Sequence, residues 1–196
     1  MPRGNGPDRR TIVGVMGSGT RELADLAEAA GRAVARGGHH LLTGGGDGVM
    51  LAAARGFTSV AGRPGLSIGV VRADDTGHLG EESRPRTYRA RGPNPYVELP
   101  IFTHLPDSGT RGKSTASRNH INVLTSTVVV VLPGEDGTAS ELELALEYGR
   151  PVILFLGDGR VAGATARELL ERRGMRVAVA TSEADLERRL AAACDG

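Results

Sequence analysis

The sequence has no tryptophan, a single cysteine, and aromatic residues at only 3% of its 196 positions. Cys194 stands alone near the C-terminal edge. It can form no internal disulfide and has no metal-ligating neighbours in sequence, so a disulfide-stapled scaffold is excluded and a reducing, cytoplasmic setting is expected. No apolar run approaches the roughly 20 residues of a membrane span, and residues 1–10 lack the apolar stretch of a signal peptide. Those first ten residues read as a disordered tail ahead of one domain over 11–196. Neither sign of charge dominates, with 24 Lys plus Arg against 23 Asp plus Glu. That balance gives no support for nucleic-acid or membrane binding. With few aromatics, the core has to come from Ala, Val and Leu.

Glycine, by contrast, is abundant at 29 residues, and it falls in an informative place. Three times an apolar run meets a glycine-rich turn that opens a helical pattern. Thr11 to Met16 runs into Gly17-Ser18-Gly19-Thr20, with Thr20 expected to cap a helix reaching Arg36. His39 to Thr43 runs into Gly44-Gly45-Gly46-Asp47-Gly48-Val49-Met50 and an alanine-rich helix. Val128 to Leu132 runs into Pro133-Gly134-Glu135-Asp136-Gly137, then a helix for which Thr138 and Glu141 have the spacing of a capping box. The all-apolar, β-branched run at 128–132 suits a strand buried on both faces of a parallel sheet.

Further strands are expected at 66–71, at 96–102 with a bend or end at Pro100, at 151–156 and at 176–180. Helices are expected at 114–126, 162–173 and 182–193, the last capped by Ser182 with Asp185. Residues 72–113 carry no helical period, and a loop of that length is a candidate lid. Strands alternating with helices predict an α/β fold: one doubly wound, Rossmann-like domain with a mostly parallel sheet and helices on both faces. In such a sheet the strand-to-helix loops share one edge, and ligands sit where the strand order reverses. The three glycine turns should therefore meet and offer free amides and a helix N-terminus to an anion, most plausibly a phosphate. Gly14 to Gly19 reads GxxGxG rather than the dinucleotide fingerprint, and no GxxxxGK[ST] phosphate loop is present.

Thr43-Gly-Gly-Gly-Asp-Gly-Val-Met50, Arg118, and Leu132-Pro-Gly-Glu-Asp-Gly-Thr-Ala-Ser-Glu141 together resemble the Lonely Guy and molybdenum-cofactor-carrier superfamily over residues 11–157. The resemblance implies two activities. One branch hydrolyses the N-glycosidic bond of cytokinin nucleoside 5′-monophosphates, and the other holds a phosphorylated pterin–molybdenum cofactor without turnover. It implies ligand contacts at Gly17, Ser18, Gly19, Gly44, Gly45, Gly46, Gly48, Met50, Arg118, Asn119, Pro133, Gly134, Gly137 and Thr138, and catalytic roles for Arg118 and Glu141 if the chain is an enzyme. The bound ligand would be the molybdenum cofactor or an AMP-like nucleotide, with no covalent cofactor, and the chain would form a homodimer or higher homo-oligomer. Two departures stand out. Glu135 replaces the motif's second glycine, placing a carboxylate beside the expected phosphate site. The hydrolase's Glu and Lys neighbours of the arginine are absent around Arg118, which favours the carrier over the phosphoribohydrolase.

The residues themselves leave other readings open. A carboxylate at Glu141 would stabilise oxocarbenium character at an anomeric carbon; it would equally complete a capping box with Thr138. Arg118 has the planar fork that phosphate favours, or it is a solvated helix residue. Asp47 reads as a helix N-terminal charge. His39 and His40, adjacent in a strand, point to opposite faces and cannot easily grip one ion. His104 and His120 read as surface or structural, so no metal site is expected.

Overall fold

The computed structural model describes residues 11–72, 93–173 and 177–194. Seven strands form one sheet: β1 (Ile12–Met16), β2 (His40–Thr43), β3 (Ser67–Val71), β4 (Leu99–Phe102), β5 (Val128–Val131), β6 (Val152–Leu154) and β7 (Val177–Val179). Six helices accompany them: α1 (Ala24–Arg36), α2 (Val49–Thr58), α3 (Asn119–Thr125), α4 (Asp136–Glu147), α5 (Ala166–Arg173) and α6 (Glu183–Cys194). The sheet is parallel throughout, in the order β4-β3-β2-β1-β5-β6-β7. This is the doubly wound α/β fold expected from the alternation of strands and helices.

β5 shows why the run of valines demanded that position. Val128, Val130 and Leu132 belong to the core beneath α1, α2 and α6, while Val129 and Val131 pack into the opposite core with Val123 of α3 and Leu142, Leu144 and Ala145 of α4. Both faces of the strand are sealed, and no polar position is tolerated. On the α1/α2 side the core is largely alanine, so the helices approach closely with little side-chain volume between them. At the other extreme, β4 is an edge strand with exposed residues throughout, and Pro100 is accommodated there because the free edge asks for no donor.

Three helices begin later than their sequence patterns predict, each for a local reason. Thr20 does not cap α1. Ser18 Oγ accepts the amides of Thr20 (3.3 Å) and Arg21 (3.1 Å), holding a turn that delays the helix to Ala24. Likewise Ser114 Oγ and Ser117 Oγ accept the amides of Ala116 and Asn119, so only 119–125 of the expected 114–126 is α-helical. Before α5, Ala162 and Gly163 take positive φ, and Thr165 caps the helix reciprocally with Glu168: Thr165 N donates to Glu168 Oε2 at 2.7 Å and Glu168 N to Thr165 Oγ1 at 3.3 Å. Ser182 caps α6 as expected, accepting the Asp185 amide at 3.2 Å. The lid expectation for 72–113 falls in part on 73–92, outside the described residues; the remainder contains β4 and a short 3-10 turn at Gly109–Arg111.

Candidate functional site

Strand order reverses between β1 and β5, whose paired register ends at Met16 opposite Val131. The first and third glycine turns therefore leave the sheet side by side, and the second flanks them from β2. Ser18 ties the three together through its main chain: its amide donates to Pro133 O at 3.0 Å, and its carbonyl accepts from Val49 N at 2.9 Å. The junction is tight enough that a β-carbon on Gly48 would strike the Ser18 and Gly19 backbone, at a position whose φ of +64° already disfavours other residues.

Above this junction lies a crevice of about 400 Å³. It is of a size suited to a small ligand. Gly17, Gly19 and Met50 line one side, and Gly137, Thr138 and Glu141 of α4 the other. Gly44, Arg118 and Asn119 also line it, as do Arg72 and the Ser108-Gly109 loop. Ser18, Gly45, Gly46, Gly48 and Pro133 do not line it. Ser18 is buried and its amide is already engaged, and Gly45 lies against Gly69 of β3. These residues make the corner around which the crevice-lining residues are arranged. Gly134 lines an adjoining cavity instead. Sequence reasoning missed Arg72 and Ser108, which donate and accept one hydrogen bond at 3.1 Å. They lie in the aperiodic stretch where spacing carries no signal.

Arg118 immediately precedes α3 and reaches inward beneath Gly44. Its Nη1 donates to the carbonyls of Gly44 (2.6 Å) and Val70, and Nε is sealed from solvent without an acceptor. A β-carbon on Gly44 would occupy the guanidinium's place. Among the described residues no carboxylate is hydrogen-bonded to this cation. Burial lowers its pKa, the Glu141 charge opposes that shift, and the Arg72 charge adds to it. The solvated-residue reading is thus excluded.

Glu141 sits inside α4, which starts at Asp136 after an extended Glu135, so Thr138 is not an N-cap and no capping box forms with Glu141. The carboxylate turns toward α3, where Oε1 accepts from Asn122 Nδ2 at 3.0 Å. Burial raises its pKa, against the Asn122 hydrogen bond and the Arg118 charge, which lower it. Asn122, fully buried with Oδ1 unpartnered, was also missed, because an Asn on an otherwise apolar helix face carries no spacing signature.

Glu135 lines the crevice and is paired with Arg21, at 3.1 Å. His120 is structural, its ring bonded to the Tyr148 hydroxyl (2.6 Å) and the Ser114 carbonyl (3.1 Å). Among the described residues no cluster of three His, Cys, Asp or Glu side chains is placed to hold a metal ion, and no helix is long and apolar enough to cross a membrane.

No curated protein sequence matches the chain. Among solved structures, it is similar to the molybdenum cofactor carrier protein of Chlamydomonas reinhardtii, at 27% identity over 96% of this chain and 100% of that one, with a TM-score of 0.69. It is similar to the molybdenum cofactor binding protein of the phototrophic bacterium Rippkaea orientalis, at 28% identity over 94% and 97% of the two chains, with a TM-score of 0.67. The protein TM1055 shares the fold, at 24% identity over 93% and 99%, with a TM-score of 0.70. The sequence model of the SLOG cluster4 family matches residues 10–186, all seven strands and the whole crevice included, and the chain belongs to that family.

Proposed function

We propose that the crevice binds a phosphorylated pterin or nucleotide-like ligand and that the chain is a carrier of the molybdenum cofactor, acting as a cytoplasmic homodimer built on one domain, 11–196. The observation that supports this reading most is Arg118, a cation packed beneath Gly44 with two carbonyl partners and, among the described residues, no carboxylate bonded to it. Leaving a charge in that state is costly unless an anion completes it. The N-terminus of α4 adds a favourable dipole at the same place, with Gly137 and Thr138 at the wall. Arg118, Asn119, Gly137 and Thr138 would hold the phosphate end, and Glu141, with Met50 opposite, would meet the ring. The molybdenum cofactor is the cargo: it supplies redox chemistry to the protein that receives it, and this chain's residues bind, orient and shield it. The two carrier structures with 27% and 28% identity support that ligand class. Exposed Leu124 and Tyr148, at the ends of neighbouring helices α3 and α4, support a contact between copies.

Titration of the purified chain with isolated cofactor, followed by molybdenum analysis after gel filtration, tests the carrier. Saturable co-elution is expected in the wild type and loss of it in Arg118→Gln; a chain that retains no cofactor refutes the reading. A second reading, a nucleoside 5′-monophosphate phosphoribohydrolase, rests on Glu141 and Arg118 lining one crevice. It requires free base to appear from AMP or a cytokinin monophosphate and to vanish in Glu141→Ala. Scattering after size-exclusion chromatography checks the dimer.

A further inference from the structure

At the mouth of the crevice an acidic residue stands where the family pattern has glycine, and the backbone does not explain it. Glu135 has φ −97° and ψ −156°, extended values open to any residue. Its side chain therefore decides what the substitution does. Glu135 lines the crevice and also an adjoining open cavity of about 520 Å³, which contains Arg21 and Arg160. Arg21 arrives from the opposite side: its amide is fixed by Ser18 Oγ at 3.1 Å, and its Nη2 bonds Glu135 Oε1 at 3.1 Å. The pair thus spans the rim from the first glycine turn to the third. Both side chains are more than half exposed, at 55% and 59%, so the pair contributes little to folding.

We propose that the Arg21–Glu135 pair is a specificity device: it engages an arginine placed to meet a second phosphate and sets a carboxylate where that phosphate would lie. The crevice then accepts ligands with one terminal phosphate and discriminates against diphosphates and dinucleotides, whose extra charge would pass from the Arg118 end along Glu135 into the adjoining cavity. This rests on the phosphate-binding reading above. Specificity built by an unfavourable contact with the wrong ligand is a general strategy, and one charge at this range is worth about tenfold in affinity.

The test is calorimetric titration of the full chain with AMP and with ADP as probes, in wild type, Glu135→Gly, Glu135→Gln and Arg21→Ala/Glu135→Gly. AMP is expected to bind the wild type more tightly than ADP. Glu135→Gly should raise ADP affinity relative to AMP by about tenfold. Glu135→Gln, which keeps the size and removes the charge, should reproduce most of that gain. The double variant should lose it, because the freed Arg21 is the second phosphate's partner. Melting temperatures within a few degrees of wild type confirm that the variants are folded. An AMP-to-ADP ratio unchanged by both single variants, with the wild type binding AMP, overturns this inference alone. A wild type that binds neither AMP, ADP nor inorganic phosphate overturns the phosphate-binding reading and this inference with it.

Discussion

The side-chain amide of Asn122 donates to Glu141 Oε1 at 3.0 Å, joining α3 to α4 at the wall of the crevice. Burial is the largest influence on Glu141 and favours its neutral form. A carboxyl whose folded pKa is raised binds its proton more tightly in the folded state, so its contribution to stability is intact below the unfolded value, near 4.5, and is lost as pH rises through the folded pKa. Glu141→Gln removes this titration. Its stability relative to wild type is therefore expected to increase as pH rises above about 4.5 and to level off once the wild-type carboxyl has ionised. Urea denaturation from pH 4 to 8 on both proteins measures the difference, and a parallel pair of curves contradicts it.

Asn122→Ala takes away the one side-chain hydrogen bond donated to Glu141 among the described residues, inside a packed helix pair. A loss of about 1–3 kcal/mol is expected, the usual cost of leaving a buried polar group unpaired. Because Glu141→Ala removes the acceptor of the same contact, the double variant Asn122→Ala/Glu141→Ala should lose less than the sum of the two single losses. Additive losses would show that the pair is not coupled.

Gly44→Ala and Gly48→Ala separate binding from folding within one turn. A β-carbon at Gly44 falls on the Arg118 guanidinium, the far end of a flexible side chain that can swing away. The variant should fold with a near-normal melting temperature and lose phosphate affinity at least tenfold, since the half-buried cation is displaced. At Gly48 the obstruction is backbone from Ser18 and Gly19, which cannot move, at a φ of +64°. That variant should lose at least about 2 kcal/mol of stability. Calorimetry for binding and thermal denaturation for stability together distinguish the two.

Glu183 at the start of α6 takes both Arg32 Nε (3.0 Å) and Arg32 Nη2 (2.7 Å) from α1, and Arg36 Nη1 at 2.7 Å. The Arg32 hydrogen bonds lower its pKa first, and the Arg32 and Arg36 charges act in the same direction. A depressed carboxyl gives stability that is present above the unfolded value and lost as pH falls through the folded one. Glu183→Gln should cost about 1 kcal/mol at pH 7, for a partly exposed pair with two-pronged geometry. The deficit should shrink below pH 4.5 and in high salt. Its pH trend is opposite to that of Glu141, which makes the two variants controls for each other.

Two stretches with the same Thr-x-x-Glu spacing show where local pattern stops being informative. Thr165 and Glu168 form a reciprocal cap, whereas Thr138 and Glu141 lie inside a helix that starts two residues earlier. Nothing within either four-residue window distinguishes them. What does is Asn122, 19 residues away in sequence, which draws the Glu141 carboxylate across to another helix. Arg118 stood out as a candidate from its place in the family pattern, yet its position as a half-buried cation under Gly44 depends on a contact spanning 74 positions.

The sequence by itself determined the alternation of strands and helices, the double burial of Val128 to Val131 and the three glycine corners, because apolar period, β-branching and glycine act over a few neighbouring residues. Only the tertiary structure decided which corner residues face the crevice and which brace one another, that Glu135 is held by Arg21, and that Arg118 has no carboxylate bonded to it among the described residues. Those outcomes depend on strand order and on side chains meeting across the sheet edge, where burial and desolvation act between residues far apart in the chain.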